Sequence, residues 1–160
     1  MSAEGQVWEL LAGVPDPEIP VLSIVDLGIV REVRREADGR LRVRITPTYS
    51  GCPATDLIRG LVRQALDGGG FADAVLEEAL SPPWSTAWIS AAGREKLRAF
   101  GIAPPEEAVR GARGGAAAAV SCPRCSSRDT RRVSEFGSTP CKAHYRCEAC
   151  GEPFDYFKCL

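Results

Sequence analysis

The chain has 160 residues, 44% of them hydrophobic and 26% charged, with a formal net charge of −1. This fits a soluble globular protein of one ordinary domain or two small ones, and gives no global electrostatic basis for binding nucleic acid or an anionic membrane. No apolar run approaches the ~20 residues that span a bilayer, and Met1-Ser2-Ala3-Glu4-Gly5 lacks the basic-then-apolar pattern of a secretory signal, so a cytoplasmic location is expected.

In chain order, Val7, Leu10, Leu11 and Val14 fall at helical spacing and predict a short first helix, ended by Pro15. A stiff turn with two carboxylates follows, Asp16-Pro17-Glu18-Ile19-Pro20. The apolar stretch from Ile24 leads into a strand near 29–35, and Asp38-Gly39 is a hairpin signal. Residues 40–46 alternate strictly, with Leu41, Val43 and Ile45 on one face and arginines on the other. Glu32, Glu36 and Asp38 on the partner segment can balance those arginines. Ala54, Leu57, Ile58, Leu61, Val62, Ala65 and Leu66 mark the clearest helix, stopped by Gly68-Gly69-Gly70. A third strand is expected over 73–80. Trp84 and Trp88 are expected to cover the sheet edge or core, and Ser90 to cap a last helix closed by Gly101. The predicted fold is α/β (α+β): a small two-layer α-β-β-α-β-α sandwich with a mixed sheet over 1–103. A coil-like linker over 104–121 would hold its ends roughly 25 Å apart, and a zinc ribbon would occupy 122–160.

Six of the seven cysteines lie between Cys122 and Cys159. In a reducing compartment they point to metal ligands or reactive thiols before disulfides. Cys122-Pro123-Arg124-Cys125 and Cys147-Glu148-Ala149-Cys150 form two CxxC knuckles, a spacing that favours structural zinc. An iron–sulfur cluster at the same residues, and disulfides or free thiols, are the alternatives. Ribbon strands are expected at 133–136 and 143–146. Cys141 and Cys159 read as small buried hydrophobes or as a second thiolate pair, and His144 as a surface or packing residue. Phe154-Asp155-Tyr156-Phe157 is expected to dock within the tail or on a partner.

The remaining cysteine, Cys52, sits in Thr48-Tyr49-Ser50-Gly51-Cys52-Pro53-Ala54-Thr55 between strand and helix. With Pro53 at the first helical position, Cys52 would be the cap, where the helix dipole favours a thiolate. Gly51 lets the backbone approach a ligand, and Thr48, Ser50 and Thr55 surround it with hydroxyls. Three readings stand: a buried structural cysteine, a nucleophile, or a soft-metal or cluster ligand. A nucleophile needs a base, and His144, the sole histidine, lies in the tail.

Asp16-Pro17-Glu18-Ile19-Pro20, Val25-Asp26-Leu27-Gly28-Ile29-Val30 and Gly51-Cys52-Pro53 resemble the MIP18 (DUF59) family, associated with iron–sulfur cluster assembly and delivery. Pro82-Pro83-Trp84-Ser85-Thr86, Phe136-Gly137-Ser138-Thr139-Pro140-Cys141 and Glu152-Pro153-Phe154-Asp155-Tyr156-Phe157-Lys158-Cys159 narrow the resemblance to the accessory-subunit family of bacterial phenylacetyl-CoA epoxidase systems in phenylacetate catabolism. The resemblance implies a maturation factor with Cys52 as transient cluster ligand, and maps Asp16 and Glu18 onto an acidic turn that is equally compatible with a structural role. The implied partners are subunits of the epoxidase complex or its reductase, with a second copy of the chain as one way to complete a cluster site. No paired Glu-x-x-His helices or Gly-rich dinucleotide fingerprint is present, so catalysis by this chain is not expected. The rival implication is a stoichiometric structural subunit without metal delivery. A zinc-ribbon nucleic-acid binder is disfavoured by the near-neutral charge.

Overall fold

A computed structural model describes residues 1–49, 51–106 and 120–158. The chain divides into two compact units, Met1–Gly93 and Arg94–Leu160, with the division falling inside the third helix.

In the first unit, α1 (Ala3–Ala12) starts at Ser2, whose Oγ accepts from the Gly5 N–H at 3.1 Å. The helix ends at Gly13, so Val14 lies beyond it, buried, and its carbonyl accepts the Ile24 N–H. Strand β1 (Val30–Arg35) pairs antiparallel with β2 (Leu41–Ile45), and β2 pairs parallel with β3 (Val75–Glu78). This is the expected mixed sheet, in the order β1-β2-β3. Helix α2 (Thr55–Gly68) buries Ile58, Val62 and Leu66, while α1 buries Val7 and Leu11. Each such burial contributes about 1.5–3 kcal/mol, which outweighs the ~1 kcal/mol helix penalty of Gly60. Leu41, Val43 and Ile45 complete the core.

The outer face of the sheet carries the arginines, and each of them is paired. Arg42 bonds Glu36 at 2.7 Å and also Glu77, while Arg44 reaches Glu32 at 3.3 Å and Glu77 at 3.6 Å. Arg40 pairs with Asp38 at 2.7 Å. Glu32, Glu36 and Asp38 are the partners expected from the hairpin, and Glu77 is added by the parallel strand. The Arg42 guanidinium holds Glu77 below its ordinary value of 4.5, and Arg42 and Arg34 do the same for Glu36.

The loops are held by buried polar groups. Asp16 Oδ1 accepts the N–H groups of Glu18 and Ile19 at 2.9 and 2.8 Å, closing its own turn. Asp26 and Ser23 exchange reciprocal bonds, the Asp26 N–H donating to Ser23 Oγ and the Ser23 N–H to Asp26 Oδ2. The Asp26 carbonyl accepts the Ser90 N–H, tying this turn to the start of α3 (Ala91–Phe100). As expected, Ser90 caps α3 through the Gly93 N–H at 2.9 Å. Trp84 is buried and donates to the Leu27 carbonyl at 2.8 Å, and the Arg31 guanidinium lies 3.5 Å from the centre of the Trp88 ring. Both tryptophans therefore serve packing. Gly28 has φ +73, and a Cβ there would stand 2.5 Å from the Trp88 carbonyl oxygen.

In the second unit a four-stranded sheet runs β4-β7-β6-β5, with β4 Ile102–Ala103, β5 Thr130–Ser134, β6 Lys142–Cys147 and β7 Pro153–Phe157. The expected strand at 143–146 falls within β6, the one at 133–136 overlaps β5 only at Val133 and Ser134, and two strands are additional. The aromatic terminal segment docks within the tail as β7, where Tyr145 stacks on Phe154 and meets Tyr156 edge-on. Ala103, Val120, Cys122, Ala143, Tyr145, Cys147, Phe154 and Tyr156 form one buried cluster. The ends of the expected linker do not lie 25 Å apart. Glu106 Oε1 accepts the Ser121 N–H at 2.8 Å, because Ala103 and Val120 both enter that core. Residues 107–119 of the linker lie outside the described residues.

Two outcomes follow from this packing. Gly28→Ala combines a left-handed φ with a backbone clash, so a stability loss of about 3 kcal/mol is expected in urea unfolding; a change below about 0.5 kcal/mol would contradict the packing described. Because Glu77 is held below 4.5 when folded, its contribution is complete above about pH 4.5 and is lost as pH falls through the lower folded value. The urea-midpoint gap between wild type and Glu77→Gln should therefore be present at neutral pH and close in acid and in high salt. A gap independent of both would argue against the ion-pair network.

Candidate functional site

Four cysteines meet at one end of the second unit. The Sγ atoms of Cys122, Cys125, Cys147 and Cys150 all lie within 4.8 Å of one another. The sequence builds this cluster from two copies of one knuckle. In the first, the Ser126 N–H donates to the Cys122 carbonyl at 2.9 Å and the Cys122 N–H to the Ser127 carbonyl at 2.9 Å. In the second, the Gly151 N–H donates to Cys147 and the Cys147 N–H to Glu152, again at 2.9 Å. The residue after each second cysteine has positive φ, Ser126 at 64° and Gly151 at 78°. Such a turn bends the chain back so that both thiols of a pair face inward. Strands β5 and β6 bring the knuckles together, since Thr130 pairs with Cys147. Arg124 Nη1 to Glu152 Oε2, at 2.6 Å, joins them on the outside.

The donor set fits a single ion. A tetrahedral Zn²⁺ with Zn–S of about 2.3 Å sets its sulfurs about 3.8 Å apart. Here Cys122 and Cys150 are 3.8 Å apart and Cys125 and Cys147 3.5 Å. A multi-iron cluster would spread its thiolates around a larger body. The backbone N–H of Cys150 is the largest influence drawing the Cys147 thiol down to about 7, with hydrogen bonding from Cys125 and Cys150 adding to it. Cys125 goes the other way. The Ser127 backbone N–H favours its thiolate, but burial and hydrogen bonds to Cys147, Cys150 and Cys122 push it up to about 12. Each negative sulfur disfavours the next, and a divalent cation reverses that balance. With four protein thiolates no coordination position is left open, so an ion here holds the fold and does not turn over substrate.

Cys52 lies in the other unit, in the turn before α2. It is 8% exposed. Its N–H donates to the Tyr49 carbonyl at 3.2 Å, its carbonyl accepts the Thr55 N–H at 3.1 Å, and the Thr48 hydroxyl stands 4.0 Å from its Sγ. The expected cap position is corrected. The helix begins at Thr55 with Ala54 as its N-cap, the Ala54 carbonyl accepting the first helical bond from the Ile58 N–H at 2.9 Å. Cys52 and Pro53 precede it in the turn. Gly51 has φ +77, and nothing stands within 4 Å of where its Cβ would be, so backbone shape and not crowding selects glycine. Near Cys52, Thr48 contributes its hydroxyl and Thr55 its backbone N–H, while Ser50 lies outside the described residues. Asp16 serves its own turn, with Glu18 partly buried beside it.

Cys141 is buried, its Sγ 3.0 Å from Thr139 Oγ1, and Cys159 lies outside the described residues. His144 is placed across from Asp155 on β7, with Nδ1 3.4 Å from Oδ1, and not in the cysteine cluster. The Asp26–Ser23 bracket was missed, although Ser23-Ile24-Val25-Asp26 has the spacing of a capping box. Among the described residues no helix is long and apolar enough to cross a membrane.

Comparison with known proteins follows this division. Residues 4–74 match the family described as iron–sulfur cluster assembly protein, and residues 106–158 match the PaaD zinc beta ribbon domain. The chain is 49% identical over 155 residues to an Escherichia coli (strain K12) protein provisionally named as one of the subunits of 1,2-phenylacetyl-CoA epoxidase, covering 97% of this chain and 92% of that one. It is 33% identical over 91 residues to an Fe-S protein maturation auxiliary factor of Porphyromonas gingivalis (strain ATCC BAA-308 / W83), covering 56% and 86% respectively. The crystal structure of a DUF59 domain from Bacillus anthracis superposes with a TM-score of 0.54 at 27% identity, covering 59% of this chain and 90% of that one.

Replacing Cys122 by Ser should release one zinc per chain and unfold the second unit, read by metal analysis and by loss of amide dispersion confined to that unit. Unchanged zinc content would rule out the four-thiolate site.

Proposed function

The chain belongs to the iron–sulfur cluster assembly (DUF59) family and carries the PaaD zinc beta ribbon, and from that premise we propose that it is a non-catalytic accessory factor of a phenylacetyl-CoA epoxidase system, assisting assembly of an iron–sulfur or iron centre in the oxygenase or its reductase. The observation that carries this reading is the division of its thiols between the two units. Cys122, Cys125, Cys147 and Cys150 form a closed set in the second, while Cys52 belongs to the first, in the turn before α2.

In this reading the ribbon cysteines hold structural zinc and Cys52 is the transient ligand. Its thiol gives up a proton when its sulfur binds iron, and a client thiolate displaces it on delivery. Thr48, Gly51 and Thr55 shape the turn, and Asp16 and Glu18 support the loop beside α1. One thiol cannot complete the coordination of a cluster, so a second copy of the chain, a small thiol or the client supplies the rest. The work is divided between the first unit, which handles the cluster, and the second, whose ribbon docks on the client, in the cytoplasm.

The burial of Cys52, 8% exposed, favours the rival reading, a stoichiometric structural subunit. Co-purification at fixed ratio with fully metallated partners, insensitive to Cys52→Ser, would favour that rival. Anaerobic reconstitution with ferrous iron and sulfide discriminates directly. Wild type should develop cluster absorbance and Cys52→Ser less than about a fifth of it, whereas equal loading would reject the role of Cys52.

A further inference from the structure

The sheet of the second unit has a second face. Along β6, Ala143, Tyr145 and Cys147 point into the zinc-side core, and alternation sends Lys142, His144 and Arg146 the other way. On that face lies a cavity of ≈ 380 Å³, lined by Phe100, Ile102, Ser138, Lys142, His144 and Asp155 among others. Lys142 is only 5% exposed. Among the described residues, no hydrogen bond or ion pair engages its ammonium. A buried cation without a partner is costly, and lysines buried to this degree are almost always paired.

The one carboxylate in the cavity wall is already engaged. Asp155 Oδ1 faces His144 Nδ1 at 3.4 Å, and Oδ2 accepts the Ser138 hydroxyl at 3.0 Å. The loop is built to keep it so. A Cβ on Gly137 would stand 2.9 Å from Asp155 Oδ1 and 3.4 Å from Lys142 Cβ, and the Gly137 N–H donates to the Lys142 carbonyl at 2.7 Å. With Nδ1 turned to Asp155, Nε2 is the His144 nitrogen left for a ligand. The remaining walls are apolar: Phe154 is buried beneath, and Phe100 is 61% exposed at the rim.

We propose that this cavity binds a small oxyanion with a short apolar arm, its negative group on Lys142 and His144 and its arm against Phe100 and Ile102. The ion pair supplies the missing partner of Lys142, and the apolar walls select against bare inorganic ions. Neither the zinc set nor Cys52 takes part, so the site stands independently of the maturation reading.

The test uses the zinc-loaded full chain titrated with hexanoate, acetate and inorganic phosphate, followed by amide and His144 ring shifts. Hexanoate should bind at least tenfold more tightly than acetate, with shifts centred on Lys142, His144 and Asp155. Lys142→Met should weaken it at least tenfold with zinc content unchanged. Phosphate binding there without hexanoate would show that the apolar walls select nothing, and would overturn the proposal. Should Lys142→Met fail to fold, His144→Gln carries the test, with several-fold weaker binding expected. Absence of saturable binding by wild type for all three probes, or affinity unchanged in the folded variants, would overturn the proposal.

Discussion

Four thiolates within 4.8 Å of one another repel unless a cation sits between them, and the second unit is organised by that constraint. The two knuckles repeat the same pair of backbone hydrogen bonds and the same positive φ, because each must aim two sulfurs at one point. The β5–β6 pairing sets the distance between knuckles, and Arg124 with Glu152 joins their outer sides. The hydrophobic cluster is small, and two of its eight members are metal-site cysteines. A core of this size rarely stands alone. Structural zinc contributes about 10–16 kcal/mol in comparable small peptides at neutral pH, ample to fix such a fold.

The first unit needs no such staple. Its apolar stripe on α2, the inward face of β2 and the buried residues of α1 make a continuous core. The outer face of its sheet is neutralised by crossed arginine–glutamate pairs. Those pairs are half-buried and still reached by solvent, so each adds little stability. Their effect is to balance the charge of the arginine ladder, in which Arg44 Nε is left buried without a hydrogen-bond partner among the described residues. What the unit offers chemically is the turn before α2, where the only cysteine among its residues sits behind a glycine whose side is open.

Much of this was legible from spacing. The CxxC pairs, the period of Ala54 to Leu66 and the alternation of 40–46 are strong local signals, and the structure follows them. What escaped was non-local. Strand β4 is two residues long and pairs in parallel with Asp155 and Tyr156, which no periodicity can announce. Glu77 joins the arginine network only because β3 runs parallel to β2. The Cys52 position was misread by two residues: Pro53 looks like a first helical residue, but the hydrogen-bonded turn Cys52–Thr55 comes first. The linker's composition suggested a free coil, while Glu106 and Ser121 are bonded. That contact depends on Ala103 and Val120 being buried by strands on either side of them in sequence.

The account therefore rests on two kinds of thiol in one chain, four that meet in the second unit and one in the turn before α2 of the first. Zinc, iron and acid-labile sulfide measured on anaerobically purified protein test this directly, with wild type beside Cys52→Ser and Cys147→Ser. The account predicts one zinc per chain in wild type and in Cys52→Ser, with iron and sulfide in wild type and not in Cys52→Ser. Iron and sulfide that survive Cys52→Ser but vanish with Cys147→Ser would place the cluster in the ribbon and contradict it.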